Sequence, residues 1–446
     1  MPIAAASLPP TRHCSMRRPF SATCLAMCMR RLLFCTLFAI CALALRRPPA
    51  LAQVQHTPHD HAPPPISLGK IQSVPCTHKP PVVPVPVEDL APFLEKIPQM
   101  LEDLRTRIMH APAAAAIVVQ GGRVVFFNSS GLARQPSAEH PHGVPFTPQT
   151  IVRIASNTKQ FTSLAAYKLR DEGHLSMDDP VAKWLPGFSV RRSPAVVRAS
   201  RRPIVLRALA MHTSGLQREF PPYTTPPSGS NTTVEEAVLA ALAATPHGQF
   251  APQFTTTAYS NMGLALLGRS LEKAASQALG ESILYEEYVE SRLLQPMRMY
   301  SSGFNYSDEV RARMAVGVDP DSGKPFPLPT EEDGFEFGSP AGQMFSTCED
   351  MASYMIHALE YTLDANHAGE ESGPRVQGKV VDGSTFAELQ QSGTIAGHSN
   401  GFTGIGSGTF EWAHLNSADS PHGHWAFTKS GCLNGYRSDT LMVPDL

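Results

Sequence analysis

The sequence predicts an α/β (α+β) fold in which an antiparallel sheet is flanked by helices and a mostly helical subdomain is inserted. Three observations predict this fold. The folded part opens with a helix and a β-hairpin, a long central region repeats apolar residues at the helical period, and strand-like segments close the chain. We expect one folded domain over residues 88–446, with the helical subdomain at about 170–340.

Each element has its own local signal. Leu90–Met109 repeats apolar residues at helical spacing, and two β-rich runs then meet at Gly121-Gly122, which is typical of a hairpin. A helical period recurs in the segments VEEAVLAALAAT, NMGLALLGRSLEKAA and ILYEEYVESRLL. The segments FTGIGSGTFEW, HWAFTKSG and YRSDTLMVP predict three strands of an antiparallel meander. Residues 364–400, which precede this meander, are polar and rich in glycine and predict a surface insertion.

The composition excludes several classes of protein. The 446 residues are 42% hydrophobic and 17% charged, which allows a large core, and the net charge of −2 favours neither nucleic acid nor an anionic surface as partner. Five of the eight cysteines lie in the first 45 residues, so the chain has no disulfide framework. We expect no metal and no cofactor. A histidine cluster near the N-terminus could bind a metal, but a solvated polar tract explains it better; it consists of His56, His59 and His61.

Residues 1–52 predict a targeting peptide, and residues 53–87 a Pro- and His-rich linker. A basic pair, an apolar run and a small-residue site ending at Ala52 indicate a secretory signal, and the run is too short for a comfortable membrane span. We therefore expect a secreted protein without a firm membrane partner beyond this leader. A mitochondrial or other organellar transit peptide is the alternative, because the first acidic residue is Asp60. Three glycosylation triplets fit a secretory route: Asn128, Asn231 and Asn305.

A serine and a lysine stand three positions apart at the start of a predicted helix. Ser156 and Lys159 would share one helix face, where a lysine amine with a lowered pKa can accept the serine proton. The free N–H groups of a helix N-terminus would favour a developing negative charge. A helix N-cap at Ser156 is the structural alternative. Another match to the same spacing, Ser67 to Lys70, lies in the linker without a predicted helix and carries little weight.

Two later motifs strengthen the catalytic interpretation. Tyr259 and Asn261 come immediately before an apolar helix, and Lys429, Ser430 and Gly431 are predicted at the end of a strand. Taken singly, these motifs indicate a packed aromatic side chain, a helix cap and a strand-ending turn. Three such motifs in this order, each on a suitable element, are hard to attribute to chance.

On these motifs the chain resembles the serine β-lactamase and penicillin-binding protein superfamily. It is most similar to the branch of class C β-lactamases, D-alanyl-D-alanine carboxypeptidases and esterases, which carries SxxK, YxN and K[TS]G. The resemblance runs from Leu90 to the last residue and includes the segments GHLSMDDPVAKWLPGF, ALAMHTSGL and SPAGQMFSTCEDMASYM. It implies a β-lactamase/transpeptidase-like fold. It also implies further elements after DTLMVPDL, so we expect a truncated C-terminus with an exposed sheet edge.

The resemblance implies a catalytic role for three side chains. Ser156 would attack a carbonyl carbon and form an acyl-enzyme. Lys159 and Tyr259 would share the work of general base and general acid, and which of them is the base stays open. Nearby ammonium groups would keep the tyrosine acidic, and Lys159 and Lys429 are the candidates.

The resemblance also implies substrate-binding groups. Asn261 would hydrogen-bond the substrate amide or orient the catalytic lysine, and the KSG segment of Lys429, Ser430 and Gly431 would meet a substrate carboxylate. The backbone N–H groups of Ser156 and Cys432 would form the oxyanion hole.

We therefore expect a serine hydrolase that acts on an amide or ester in a small molecule or peptide, with peptidase, esterase or β-lactamase-type activity. A catalytically inactive binding protein of the same fold is the alternative, and a scaffold that polymerises through the sheet edge is a third. The histidine and serine of HTSGL could suggest a triad, but the resemblance makes that segment a structural turn. The oligomeric state is left open.

Overall fold

The structure, a computed structural model, describes residues 87–443 apart from the gaps 200–201, 224–225, 227–229, 320, 335, 367–379, 391, 395–401, 407–410 and 418–419. The predicted leader, the histidine cluster and residues 53–86 of the predicted linker lie outside the described residues, and the last linker residue, Val87, begins a helix. Backbone contacts divide the chain into a unit of Gln72–His414 with His424–Leu446 and a unit of Met1–Ile71 with Leu415–Gly423. The helices and the candidate site belong to the first unit. No helix in the described part is long and apolar enough to cross a bilayer.

The helices follow the predicted distribution along the chain. They are α1 Val87–Leu94, α2 Ile97–Asp103, α3 Thr158–Asp171, α4 Val181–Trp184, α5 Pro194–Ala199, α6 Leu206–Ala210, α7 Val234–Ala244, α8 Asn261–Leu279, α9 Tyr285–Val289, α10 Asp308–Arg313, α11 Cys348–Asn366 and α12 Gly383–Gln390. Two of them, α2 and α9, continue into π-helical turns over Leu104–Met109 and Glu290–Leu294. Short 3₁₀ turns occupy Ala155–Asn157, Glu332–Gly334 and Ser339–Ala341.

The strands form antiparallel sheets. They are β1 Ala113–Gln120, β2 Arg123–Arg134, β3 Val144–Pro145, β4 Val152–Arg153, β5 Phe345–Ser346, β6 Ser392–Thr394, β7 Phe402–Gly406, β8 Glu411–Ser417, β9 Ser420–Leu433 and β10 Tyr436–Met442. The strand order is β1-β2-β3 in one sheet, β10-β9-β8-β7-β6 in another, and β4-β5 in a third. The predicted hairpin at Gly121-Gly122 is confirmed by the pairing of Gln120 with Arg123.

Three predictions of elements are wrong in detail. The segment FTGIGSGTFEW is not one strand, because β7 and β8 within it pair with each other as antiparallel neighbours. The KSG segment does not end a strand, since β9 runs on to Leu433. The expected surface insertion contains α12, whose side chains Phe386 and Leu389 are buried. Apolar residues at helical spacing within a polar composition account for this last difference.

The core lies around α3 and α8, which pack against each other. Helix α3 is buried on nearly all sides and includes the fully buried Phe161 and Tyr167, which is typical of a central helix. Helix α8 begins at the N-cap Ser260, whose hydroxyl accepts the backbone N–H of Gly263 at 2.9 Å. The cap of this helix is therefore Ser260 and not Asn261, which is the first residue of the helix. The starts of both helices carry the residues singled out in the sequence.

A buried ion-pair network supports the loop opposite α3. The Arg269 guanidinium on α8 donates to Glu272 at 2.6 Å and to Glu286 at 2.8 Å, and all three side chains are largely buried. The same guanidinium donates to the Ser339 hydroxyl at 2.9 Å. Because the Ser339–Ala341 turn is bonded to this network, its backbone carbonyls are held against α3.

Candidate active site

The residue before the nucleophile candidate has an unusual backbone conformation. Ala155 has φ +52°, in the left-handed region that alanine rarely adopts. Its carbonyl accepts the Thr158 hydroxyl at 2.6 Å, and Gly431 of β9 lies directly beside it. A Cβ atom on Gly431 would be 2.2 Å from the Ile154 carbonyl oxygen, so only glycine lets β9 approach this turn. The strained turn at Ser156 is thus held from two sides.

Ser156 and Lys159 meet as the sequence predicts. The Lys159 Nζ lies 3.0 Å from the Ser156 Oγ, and it also donates to the carbonyl of Ala341. The lysine side chain is fully buried, whereas Ser156 is partly exposed and can be reached by a substrate. Burial lowers the pKa of Lys159, and the neighbouring charge of Lys429 lowers it further, while Tyr259 opposes these effects. The Ser156 hydroxyl thus faces an amine, and the helix itself starts after Asn157 without a side-chain cap.

Asn157 fastens the nucleophile turn to the sheet. Its amide donates to the Ser438 hydroxyl on β10 at 2.7 Å, and its oxygen accepts from Gln160 at 2.6 Å and Thr440 at 3.1 Å. The Ser438 hydroxyl in turn donates to the Ile154 carbonyl at 2.6 Å. These bonds join both sides of Ser156 to one strand, which fixes the position of its backbone N–H.

Tyr259 is surrounded by three basic side chains. The Nζ atoms of Lys159 and Lys429 are 5.0 and 4.8 Å from the ring centroid, and the guanidinium carbon of Arg218 is 4.8 Å away. Burial alone would raise the pKa of the phenol, but the Lys159 and Lys429 charges and hydrogen bonds with Lys159 and Ser156 lower it to about 8. The phenol is therefore an acid strong enough to exchange protons near neutral pH.

His212, from the HTSGL segment, packs against the same tyrosine. The two rings stack with centroids 4.4 Å apart. The His212 Nδ1 accepts the backbone N–H of Ser260 at 3.1 Å, so the ring proton resides on Nε2, which has no hydrogen-bond partner among the described residues. Burial and the charges of Lys429 and Lys159 hold the pKa of His212 well below 6.5. The neutral His212 ring contacts the face of Tyr259. Among the described residues it makes no hydrogen bond to a serine hydroxyl, as a catalytic triad would require.

The predicted substrate-binding residues are close to the site but already have partners. The Asn261 amide donates to the Glu219 carboxylate at 2.9 Å. The Lys429 side chain is buried, and its Nζ lies 3.2 Å from Glu411 Oε1 on β8. The Ser430 hydroxyl donates to Asp439 on β10 at 2.6 Å.

The charge state of Lys429 follows from these neighbours. Burial alone would lower its pKa, but the Tyr259 phenolate and the Glu411 carboxylate raise it above 10.5. The two lysines of the site therefore differ: Lys159 is held towards the neutral form and Lys429 towards the charged form. Because its pKa is lowered, the Lys159 amine beside the serine is suited to proton transfer. Lys429 keeps its positive charge beside the phenol and is suited to charge stabilisation.

Cys432 follows Gly431 on β9, where it pairs with Arg437 of β10. Its strand passes the nucleophile turn at the close approach of Gly431. The oxyanion hole formed by the backbone N–H groups of Ser156 and Cys432 stays a prediction. No group of three His, Cys, Asp or Glu side chains in the described ranges is arranged to hold a metal ion.

Several residues of the site have no signal in a single sequence. Glu411, Glu219 and Arg218 are ordinary charged residues of predicted strands and loops, and only chain packing brings them to Lys429, Asn261 and Tyr259. The Ala341 carbonyl could not be found either, because every residue has a backbone carbonyl. His212 was visible in the HTSGL segment, but its stacking on Tyr259 depends on the relative placement of α6 and α8.

The fold and the arrangement of the site define a protein of the β-lactamase/transpeptidase fold class. A family model described as Beta-lactamase matches residues 101–446, and the chain belongs to this family. Two curated relatives from Dictyostelium discoideum, Beta-lactamase-like proteins 2 and 4, are 28% and 30% identical over 368 residues. Each comparison covers 81% of this chain and 60% of the relative, so the chain spans about three fifths of the length of these proteins.

Solved structures show the same fold. The octameric penicillin-binding protein homologue from Pyrococcus abyssi is 24% identical, with a TM-score of 0.59, over 79% of this chain and 71% of that one. A class C β-lactamase is 20% identical, with a TM-score of 0.57, over 80% of this chain and 89% of that one. The expected β-lactamase-like fold, with helices flanking an antiparallel sheet, is thereby confirmed.

Proposed function

We propose that this protein is a serine hydrolase that forms an acyl-enzyme at Ser156 on an amide or ester of a small molecule or peptide. The observation that carries the proposal is the distance of 3.0 Å between Ser156 Oγ and the Nζ of the fully buried Lys159. A nucleophile and an amine with a lowered pKa within hydrogen-bond reach are the parts that acyl transfer requires.

In this mechanism the Ser156 Oγ attacks the substrate carbonyl carbon while its proton passes to Lys159 or Tyr259. The N–H groups at the start of α3 and on β9 stabilise the oxyanion. The tetrahedral intermediate then expels the amine or alcohol, which takes up the transferred proton. Water attacks the resulting ester in the same way, which releases the acid and restores the serine. The predicted leader suggests that the reaction takes place outside the cytosol.

Intact mass spectrometry tests the proposal. The purified protein is exposed to benzylpenicillin and, separately, to p-nitrophenyl acetate. We expect a mass increase equal to the acyl group with at least one of the two compounds, absent in Ser156→Ala and retained in Ser67→Ala, the serine of the SxxK match in the predicted linker. A folded wild-type protein that forms no adduct and turns over neither compound would contradict the proposal and favour the non-catalytic binding protein.

A further inference from the structure

Three side chains that the family resemblance assigns to the substrate are each bonded to a carboxylate of this chain. The pairs are Lys429 with Glu411 at 3.2 Å, Ser430 with Asp439 at 2.6 Å and Asn261 with Glu219 at 2.9 Å. Two of these donors, Lys429 and Ser430, are the ones that would meet a substrate carboxylate. The two groups expected to bind a substrate carboxylate are therefore already bonded to carboxylates of the protein itself.

The pair of Lys429 and Glu411 is the strongest of the three. The lysine side chain is 1% exposed and the glutamate side chain 21% exposed, so water screens their attraction only in part. Glu411 opens β8, which neighbours β9 in the sheet order, and both strands hold the pair in place. An incoming carboxylate would have to displace Glu411 from Lys429 or lie beside it, and either arrangement leaves a carboxylate poorly compensated.

Ser430 cannot replace Lys429 as a partner for a substrate carboxylate. Its only hydroxyl proton is donated to Asp439, which also accepts from the Arg437 guanidinium at 2.8 Å. A substrate carboxylate facing Ser430 would therefore meet an acceptor where it needs a donor. A carboxylate of the protein that is held in place repels a ligand carboxylate and so disfavours its binding.

We propose that Glu411 is a specificity-determining residue that excludes substrates presenting a carboxylate to Lys429. The preferred substrates are amides and esters with an uncharged group at that position, such as a carboxamide. This inference rests on the proposed function, since it concerns the substrate of the same site. Lys429 then acts through its charge on Tyr259, and Glu411 keeps that charge compensated in the free protein.

Binding to the Ser156→Ala protein tests the inference without turnover. The probes are acetyl-alanyl-alanine with a free carboxylate and the same peptide as its carboxamide, in the L and D series, measured by calorimetry. We expect the carboxamide to bind at least about tenfold more tightly in the preferred series. Adding Glu411→Gln should reduce this ratio by about tenfold or reverse it. Glu349→Gln, which changes an exposed carboxylate bonded to Gln149, should leave the ratio unchanged.

Two outcomes would overturn the inference: a carboxylate peptide that binds the Ser156→Ala protein as tightly as its carboxamide, or a ratio that a folded Glu411→Gln variant leaves unchanged. Failure of the folded protein to bind either peptide would overturn it as well. If the Glu411→Gln variant does not fold, the ratio of the affinities for carboxamide and carboxylate in the Ser156→Ala protein still tests the inference. Failure of the proposed function appears elsewhere, as the absence of an acyl adduct on the wild-type serine.

Discussion

The Nζ of Lys159 lies 3.0 Å from the Oγ of Ser156, and no part of the lysine side chain is exposed. An amine in this environment loses hydration, and its hydrogen-bond partners among the described residues are a backbone carbonyl, a hydroxyl and a phenol. Burial therefore favours its neutral, basic form. The same burial that prepares the amine for proton transfer makes the protonated lysine costly for folding.

The first prediction concerns this lysine. Lys159→Met should lower the rate of acylation by p-nitrophenyl acetate about 10²- to 10⁴-fold, because the serine loses one of its two candidate proton acceptors. The pKa is lower in the folded than in the unfolded chain, so the protonated amine destabilises the fold at neutral pH, and this cost fades as pH rises towards 10.5. The free energy of unfolding should therefore rise by about 1 kcal/mol at pH 7.

Urea unfolding and stopped-flow acylation measure the two effects. Lys168→Met is the matched control, because this lysine lies on the same helix but pairs at 2.9 Å with Glu172 at the surface. It should keep the acylation rate of the wild type. A Lys159→Met protein that acylates normally would remove the lysine from the mechanism.

The second prediction concerns pH. If the phenolate of Tyr259 is the base, the acylation rate should rise with pH to a plateau, with a midpoint at about 8, its pKa. Lys429→Gln removes one of the cations that lower this pKa and should move the midpoint upwards, towards 10. The other groups facing the ring are Lys159, Arg218 and the neutral His212.

Acylation rates measured between pH 6 and 10 check this expectation. A Tyr259→Phe variant that keeps the same rising limb would assign the base to Lys159. A wild-type rate independent of pH over this range would contradict the phenolate as the base.

The third prediction concerns the close approach of β9 to the nucleophile turn. Gly431→Ala places a Cβ 2.2 Å from the Ile154 carbonyl oxygen and 3.1 Å from the Ala155 Cβ. The strand must move away, so we expect a loss of about 1–3 kcal/mol in the free energy of unfolding. Acylation should slow by at least about 100-fold, as the oxyanion donors shift together with the strand.

Gly187→Ala is the control for this change. A Cβ there would meet only the flexible end of Leu239 at 3.4 Å. Thermal unfolding and acylation should both resemble the wild type. Equal behaviour of the two alanine variants would show that the close approach at Gly431 is not required.

The fourth prediction concerns the buried network behind the Ser339–Ala341 turn. Arg269→Met leaves the buried carboxylate of Glu286 without its cation and removes the nearer of the two cations beside Glu272, so it should cost about 3–5 kcal/mol of unfolding free energy. Lys273→Met, on the same helix, removes an amine that is 41% exposed and should cost under about 1 kcal/mol. Urea titrations of both variants measure the difference, and equal losses would contradict a structural role for the network.

Much of the fold was predictable because its signals are local. The hairpin at Gly121-Gly122 and helix α8 follow from turn residues and period 3.6. The prediction failed where neighbours decide the outcome. A glycine-rich segment read as one strand forms the paired β7 and β8, and a polar segment contains α12, which buries Phe386 against the core.

The sequence by itself indicated which residues could carry the chemistry, because a spacing of three places Ser156 and Lys159 on one face of a predicted helix. It also placed Tyr259 and Lys429 in recognisable motifs. Only the tertiary structure decided the charges around them: three basic side chains converge on Tyr259, and Glu411 pairs with Lys429. The reason is physical, since pKa values and ion pairs depend on distance and burial, and these are set by elements far apart in sequence.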